Sequence, residues 1–206
     1  RSNNNIHSFP LDVLDSEKCK DVFDKIINKF KNIDIAFFST GIHDPKSEKN
    51  LNLEKIRKIM ETNFFGTVNS IMAVNKYFRE RKNGHISIVS SVAGYRGLPA
   101  AAGYCASKAA LTSLAESLFF DFKRYNVRIS LVSPGFIKTP LTDKNKFSMP
   151  MIKSPEYAAE KMFIGLTKKN VFEIHFPKTF TILVKLLKIM PNWLFLWLIE
   201  RGVKRF

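Results

Sequence analysis

The chain has 206 residues, 45% of them hydrophobic, which suits one globular domain with a sizeable core. Its two cysteines, Cys19 and Cys105, provide neither a disulfide framework nor a metal-ligand spacing. A reducing, cytoplasmic location is therefore expected. The net charge of +15 is compatible with nucleic acid, anionic membranes or phosphate-bearing ligands.

Apolar strands alternate with helical segments along the chain. Residues 6–12 alternate weakly and contain Pro10, which predicts a loose or edge strand. A helix is predicted to begin at Asp15-Ser16-Glu17. Further strands are predicted at 33–38, 86–89, 127–132 and 171–176, and further helices at 53–81, 104–124 and 156–168. This alternation predicts an α/β fold with a doubly wound parallel sheet.

Three of the predicted strands lead into turn or hydroxyl residues at their carboxyl ends: Gly41, Ser91 and Pro134-Gly135. In open parallel sheets, ligands bind in the crevice beyond these ends. We therefore expect a ligand crevice there. The polar segment 142–153 interrupts the alternation and is predicted to be a mobile lid over the substrate.

Tyr104 and Lys108 are four residues apart in a predicted helix, so their side chains share one face. A nearby ammonium favours the phenolate and lowers the pKa of a tyrosine, which suits proton exchange near neutral pH. Such pairs are also common on solvated helices. Here the helix is crowded with small residues, as expected where a helix approaches another backbone or a flat ligand.

In these features the sequence resembles the short-chain dehydrogenases/reductases. The resemblance covers about residues 6–140. Its segments, in the family's order, are Leu11-Asp12-Val13, Ser39-Thr40-Gly41, Asn63-Phe64-Phe65-Gly66, Ser91 with Tyr104 and Lys108, and the loop Pro134 to Thr139. Ser39 and Thr40 depart from the family's Asn-Ala at that turn.

The resemblance implies a Rossmann-like fold in which the first βαβ unit is missing. No G-x-x-x-G-x-G turn occurs, and we expect an N-terminally truncated chain that lacks about 40 residues, the size of one such unit. Residues 1–178 would form the partial dehydrogenase domain, and residues 179–206 an apolar, basic helical tail.

The resemblance also implies NAD or NADP as cofactor and interconversion of an alcohol and a carbonyl by hydride transfer. Tyr104 would exchange the substrate proton, Ser91 would bind the substrate oxygen, and Asn63 would hold a water in a relay to Lys108. Asn63 could also be a buried amide at a helix kink, and Thr139 could cap a turn. The implied cofactor-binding residues are Asp12, Ser39, Gly41, Tyr104, Lys108, Pro134, Gly135, Ile137 and Thr139.

Two other functions remain open. The first is a catalytically silent binding or regulatory protein of the same fold, against which the intact Ser91, Tyr104 and Lys108 argue. The second is a basic nucleic-acid-binding protein, but no nucleic-acid motif occurs and no nucleic acid is expected. The four histidines are scattered without ligand spacing, so no metal is expected either, and they are interpreted as surface or strand-end residues.

The tail is mostly apolar from Thr179 to Ile199, but its charges and Pro191 prevent it from spanning a membrane. Two short helices divided at Pro191 are predicted. Tryptophans and cations beside an apolar face suit a peripheral position on a membrane. The alternatives are closure of the substrate pocket, with an apolar substrate, and a homo-oligomer interface. A homo-oligomer is expected from the resemblance.

Overall fold

The computed structural model describes residues 5–45, 50–145, 149–168 and 170–203. Helices and strands alternate through most of this range. They are α1 (Ser16–Phe30), β1 (Ile35–Phe38), α2 (Leu53–Met60), α3 (Gly66–Arg81), β2 (Gly84–Val89), α4 (Ala102–Lys123), β3 (Val127–Pro134), α5 (Pro155–Thr167), β4 (Glu173–Phe176), α6 (Lys178–Ile189) and α7 (Asn192–Val203).

The four strands form one parallel sheet in the order β1-β2-β3-β4. Phe38 pairs with Ile88, and Val132 pairs with both Val89 and Ile174, so the carboxyl ends of the strands meet at one edge. The predicted α/β fold with a parallel, Rossmann-like sheet is confirmed.

The predicted strand at 6–12 is wrong. These residues belong to none of the sheet ladders in the described part of the chain, and Pro10 lacks the N–H that a central strand would donate. They lead instead into a turn in which Asp15 N–H donates to Asp12 C=O at 3.1 Å. The Asp15 carboxylate then caps α1 by accepting from Lys18 N–H at 3.0 Å.

The main core lies between the sheet and helices α1, α3 and α4. Its fully buried side chains include Phe78, Ile86, Ile88, Leu111, Phe122, Ile129 and Leu131. Strands β2 and β3 are buried on both faces, with Ile86, Ile88, Ile129 and Leu131 on the core face. The opposite face carries the hydrogen-bonded polar side chains His85, Ser87 and Ser130. This packing holds the carboxyl edge of the sheet in place.

The predicted long helix at 53–81 is continuous but contains a π-helical segment, Glu61–Phe65, between α2 and α3. The extra residue disturbs the regular helical ladder. Thr67 Oγ1 compensates by donating to Asn63 C=O at 2.8 Å, one turn before it. A Cβ on Gly66 would lie 2.6 Å from Val13 Cγ2, so glycine permits the chain before α1 to approach α3.

The C-terminal region contains two helices, α6 and α7, on either side of Pro191, as predicted from the sequence. Phe180 at the start of α6 is buried against Gly135, where a Cβ would lie 2.8 Å from the Phe180 ring. Among the helices of the described residues, none has an apolar stretch long enough to cross a bilayer.

Candidate active site

Tyr104 and Lys108 lie on one face of α4, one turn apart. The ammonium nitrogen of Lys108 is 5.8 Å from the centroid of the Tyr104 ring. The Tyr104 ring is half-buried and packs with Ala93, Ala101 and Cys105. The small side chains let the loop after β2 approach the helix closely, so the geometry predicted from the spacing is present.

Lys108 is a buried cation, with only 3% of its surface exposed. Its Nζ donates to Val89 C=O at 3.0 Å, at the carboxyl end of β2. A Cβ on Gly41 would lie 3.3 Å from the same nitrogen, so glycine leaves room above it. Burial penalises the ammonium form and lowers the pKa of Lys108 to about 8.

Asn63 joins the segment after β1 to α4. Its Oδ1 accepts from Ile42 N–H at 2.7 Å, and its Nδ2 donates to Ile42 C=O at 3.0 Å and to Ser107 Oγ at 3.0 Å. Ser107 Oγ in turn donates to Tyr104 C=O at 2.8 Å. Asn63 is fully buried in the π-helical segment, so its predicted place as a buried amide at a helix irregularity is observed. Its role in a water relay stays a prediction.

Ser91 follows β2 and caps the short 3-10 helix Val92–Gly94, because its Oγ accepts from Ala93 N–H at 3.1 Å. Its neighbour Ser90 ties this turn to α4 by donating to Lys108 C=O at 2.8 Å. A Cβ on Gly94 would lie 2.8 Å from that same carbonyl oxygen. Ser90 thus fixes the loop that carries Ser91, a role that the sequence analysis missed.

The loop after β3 extends this edge of the sheet. Pro134 ends the strand, and Gly135 N–H donates to Phe176 C=O at 2.8 Å. Ile137 bridges to Lys153. Thr139 N–H donates to Thr142 Oγ1 at 2.9 Å, and Thr139 C=O accepts from Thr142 N–H, so Thr139 stabilises the turn that begins the predicted lid. Residues 146–148 of that lid lie outside the described residues.

Two predicted cofactor residues, Asp12 and Ser39, lie at the exposed surface of the described residues. The Asp12 carboxylate is exposed and accepts from Leu14 N–H at 3.0 Å within its own turn. Ser39 is exposed beyond the carboxyl end of β1, two residues before Gly41. Both remain predictions for cofactor contact.

Sequence reasoning also missed His43. Its ring lies on the Tyr104 ring, with centroids 4.6 Å apart and planes inclined at 41°. His43 was predicted to be a surface or strand-end residue, and no sequence pattern reveals the contact because the two residues are far apart in the chain. Among the described residues, no cluster of three or more His, Cys, Asp or Glu side chains could hold a metal ion.

A buried polar junction, centred on Glu173, lies beside the site. Glu173 Oε1 accepts from Tyr95 OH and, at 2.7 Å, from Ser133 Oγ, while Oε2 pairs with Lys185 of α6. Burial alone would raise the pKa of Glu173, but the hydrogen bonds from Lys185, Tyr95 and Ser133 outweigh it and lower the pKa. Burial also raises the pKa of Tyr95. This junction ties α6 to the loop after Ser91.

A sequence model of the short chain dehydrogenase family matches residues 1–150. The chain belongs to the short chain dehydrogenase family. The carboxyl edge of its sheet, with Ser91, Tyr104 and Lys108, lies within the matched region. Helices α6 and α7 lie beyond it.

Three known proteins illustrate the relationship. An uncharacterized oxidoreductase of Myxococcus xanthus is 37% identical over 79% of this chain and 64% of its own length. The 3-oxoacyl-acyl-carrier-protein reductase of Thermotoga maritima is 31% identical over 68% of this chain and 56% of its own length. The solved structure of ElxO with NADP bound is 25% identical, with a TM-score of 0.72 over 83% of this chain and 77% of ElxO. The chain thus spans less than two thirds of the length of the M. xanthus and T. maritima relatives.

Proposed function

We propose that this short chain dehydrogenase is an NAD- or NADP-dependent oxidoreductase that interconverts an alcohol and a carbonyl on an apolar substrate. The observation that carries the proposal is the half-buried Tyr104 ring beside the buried Lys108 ammonium at the carboxyl edge of the sheet. A phenol beside a cation in a low-dielectric setting is suited to acid–base chemistry. ElxO, with NADP bound, and the reductase of T. maritima support the cofactor and reaction class.

The described residues fit the nicotinamide end of such a cofactor. Gly41 leaves space above Lys108 Nζ, and an ammonium has three donors, of which one is directed to Val89 C=O. A ribose hydroxyl could accept another. Ser39, Pro134, Gly135, Ile137 and Thr139 are the further candidate contacts, with Asp12 proposed for the adenine side. When bound, the cofactor supplies or accepts the hydride.

The chain's own residues would handle the proton. In the reducing direction Tyr104 donates its phenolic proton to the substrate oxygen, and in the oxidising direction the phenolate accepts the proton from the carbinol. Ser91 donates a hydrogen bond to the same oxygen. Lys108 stabilises the phenolate between these steps. Asn63 acts as a positioning residue, because it fixes Ile42 and, through Ser107, the turn of α4 that bears Tyr104.

The test is cofactor-dependent reduction of ketones by the complete gene product that contains this chain, compared with its Tyr104→Phe variant. We expect at least a 100-fold loss of kcat in the variant, the scale of general acid–base catalysis. Tyr125→Phe, just beyond α4, is the matched control and should retain turnover. Near-wild-type turnover by Tyr104→Phe would refute the mechanism. Cofactor binding without any turnover would favour a silent binding protein of the family.

We further propose that the tail contacts an anionic membrane surface peripherally. Large apolar side chains point outward from both of its helices, namely Ile182, Leu183, Leu186, Ile189, Trp193 and Trp197. Trp193 is 71% and Ile189 80% exposed, although polar residues normally occupy this face of a surface helix. Exposed Lys188 and Arg201 lie alongside, and the Arg201 guanidinium is 3.8 Å from the Trp197 ring centroid. Tryptophans and cations beside apolar side chains suit the headgroup boundary.

Co-sedimentation with vesicles of phosphatidylserine and phosphatidylcholine tests this contact. The double variant Leu186→Gln, Ile189→Gln should bind at least 10-fold more weakly than the wild-type chain. The matched control, Phe119→Gln, Phe120→Gln, changes two exposed apolar residues on α4 and should bind as wild type does. Equal binding by the tail variant would refute the membrane contact. If the tail variant also converted a dimer or tetramer into a monomer, the homo-oligomer interface would be favoured instead.

A further inference from the structure

A cleft of about 540 Å³ lies between the loop after Ser91 and helix α7. Most of its wall is apolar, formed by Leu98, Pro99, Phe195, Leu196 and Ile199. This volume is within the range of sites that bind small molecules. The cleft therefore has both the size and the lining that a hydrocarbon chain needs.

Arg96 holds the two walls of the cleft together. Its Nε donates to Leu187 C=O at 3.2 Å, Nη2 to Met190 C=O at 2.7 Å and Nη1 to Asn192 Oδ1 at 2.8 Å. Its guanidinium also lies 4.4 Å from the Phe195 ring centroid. All three nitrogens thus bind the tail, so the cleft is pre-formed, and the guanidinium in its wall keeps its charge but has its N–H donors directed to the tail rather than into the cleft.

Leu98 connects the cleft with the candidate active site. It lines the cleft and also packs in the apolar cluster that contains Tyr104, Ala101 and Cys105. A substrate whose carbonyl lies at Tyr104 could therefore extend an apolar chain past Leu98 toward α7. The α7 wall lies outside residues 1–150, the part matched by the family model, so it belongs to this chain's own tail.

We propose that this cleft binds the unbranched alkyl or acyl chain of the substrate, an inference that rests on the proposed oxidoreductase function. Phe195, Leu196 and Ile199 form one wall, and Leu98 and Pro99 form the other. Burial of one methylene corresponds to about a fourfold gain in affinity. The kcat/KM for ketones should therefore rise by about this factor with each added methylene until the cleft is full.

The test compares a series of unbranched methyl ketones of increasing chain length. The complete gene product and its Ile199→Trp variant, in which the indole fills the cleft, are assayed for kcat/KM. Calorimetric titration with the longest soluble ketone measures binding independently of turnover. In Ile199→Trp we expect the dependence on chain length to disappear and the affinity for the long ketone to fall at least 10-fold. Leu198→Trp, on the same helix but outside the cleft wall, should behave as wild type.

An unchanged dependence on chain length in Ile199→Trp would overturn the cleft assignment and leave the proposed reaction intact. If no ketone is turned over, the proposed reaction fails, and calorimetry decides the cleft separately. The cleft assignment would be supported if the long ketone bound to the wild-type protein and to Leu198→Trp but not to Ile199→Trp. No binding to the wild-type protein, or equal binding to all three, would overturn it.

Discussion

The carboxyl edge of the sheet and the C-terminal helices both depart from the usual pattern, in which apolar side chains are buried and polar ones exposed. They depart from it in opposite ways. At the sheet edge, polar groups are buried, including Lys108 with 3% and Asn63 with 0% of their surfaces exposed. On α6 and α7, apolar groups such as Ile189 and Trp193 are exposed instead. Buried cations and exposed apolar stripes are both unfavourable in an isolated chain.

The difference indicates which kind of binding partner suits each region. Asn63 and Ser90 are satisfied by partners within the chain, so the sheet edge is rigid and pre-organised for a small ligand. The outward stripe of the tail is directed to solvent, so a larger surface is the suitable partner. Arg96 and Lys185 join the two regions, which places the apolar tail next to the candidate chemistry.

The largest predicted effect on stability distinguishes the buried side of α7 from its exposed side. Phe195 is 5% exposed beneath Arg96, whereas Trp193, two residues earlier, points outward. Phe195→Ala should lower the free energy of unfolding by about 3–5 kcal/mol, as for other buried aromatic residues. Trp193→Ala should change it by less than about 0.5 kcal/mol. Denaturant unfolding measures both, and a large loss in Trp193→Ala would mean that the stripe is covered within the chain.

At the sheet edge, Lys108→Met should raise the free energy of unfolding rather than lower it. The pKa of Lys108 is about 8 in the folded chain against an ordinary value of 10.5, so below pH 8 the folded state carries a buried charge. Removing that charge should stabilise the fold by up to about 3 kcal/mol at pH 7. The same variant should lose at least about 100-fold in kcat, because the phenolate loses its cation.

The pH dependence of stability provides a control for the Lys108→Met prediction. As the pH rises from 8 to 10.5, folded Lys108 is deprotonated while the unfolded chain keeps the proton, so the stability of the wild type rises. The advantage of Lys108→Met should therefore shrink across this interval and vanish above it. Lys123→Met, at the exposed end of α4, should show neither effect. A constant difference between pH 7 and 11 would contradict the buried ammonium.

Asn63→Ala should destabilise the fold by about 2 kcal/mol or more, because the N–H and C=O of Ile42 both lose their partner. Asn69→Ala is the matched control on the same long helix, where the side chain donates one hydrogen bond to Val13 C=O at 3.0 Å. It should cost about 1 kcal/mol. Thermal unfolding compares the two variants, and an equal cost would show that the Ile42 contacts do not stabilise the sheet edge.

Lys185→Met should have a smaller effect, about 1–2 kcal/mol at neutral pH, because the ion pair is partly exposed. Because the pKa of folded Glu173 is lowered from 4.5, the contribution of Glu173 is complete above that value and is lost as the pH falls through the folded pKa. Without Lys185 this acid-sensitive contribution should diminish. Exposed Lys188→Met should stay within about 0.5 kcal/mol. If Lys185→Met left the free energy of unfolding unchanged, the contact between α6 and the sheet edge would not contribute to stability.

Much of the fold could be predicted because its signals are local. Apolar runs marked the four strands, Asp15 marked the start of α1, and Pro191 marked the division of the tail. The face shared by Tyr104 and Lys108 followed from helical periodicity alone. The strand proposed at 6–12 failed because weak alternation beside Pro10 does not supply a pairing partner.

The contacts that sequence reasoning missed are all long-range. His43 reaches Tyr104, Arg96 reaches Met190, and Glu173 reaches Tyr95 across many intervening residues. None of these pairs has a periodic spacing, because the sheet topology brings them together. The sequence therefore predicted the shared face of Tyr104 and Lys108 but not the groups that fix its position or link it to the tail.

Isotope transfer tests the central claim most directly. The complete gene product is supplied with a methyl ketone and with reduced nicotinamide cofactor that carries deuterium at both C4 positions, and the alcohol formed is analysed by mass spectrometry. The account predicts deuterium on the carbinol carbon with the wild-type protein, and at least about 100-fold slower formation of the same labelled alcohol with Tyr104→Phe. Alcohol without deuterium, or an equal rate with Tyr104→Phe, would contradict it.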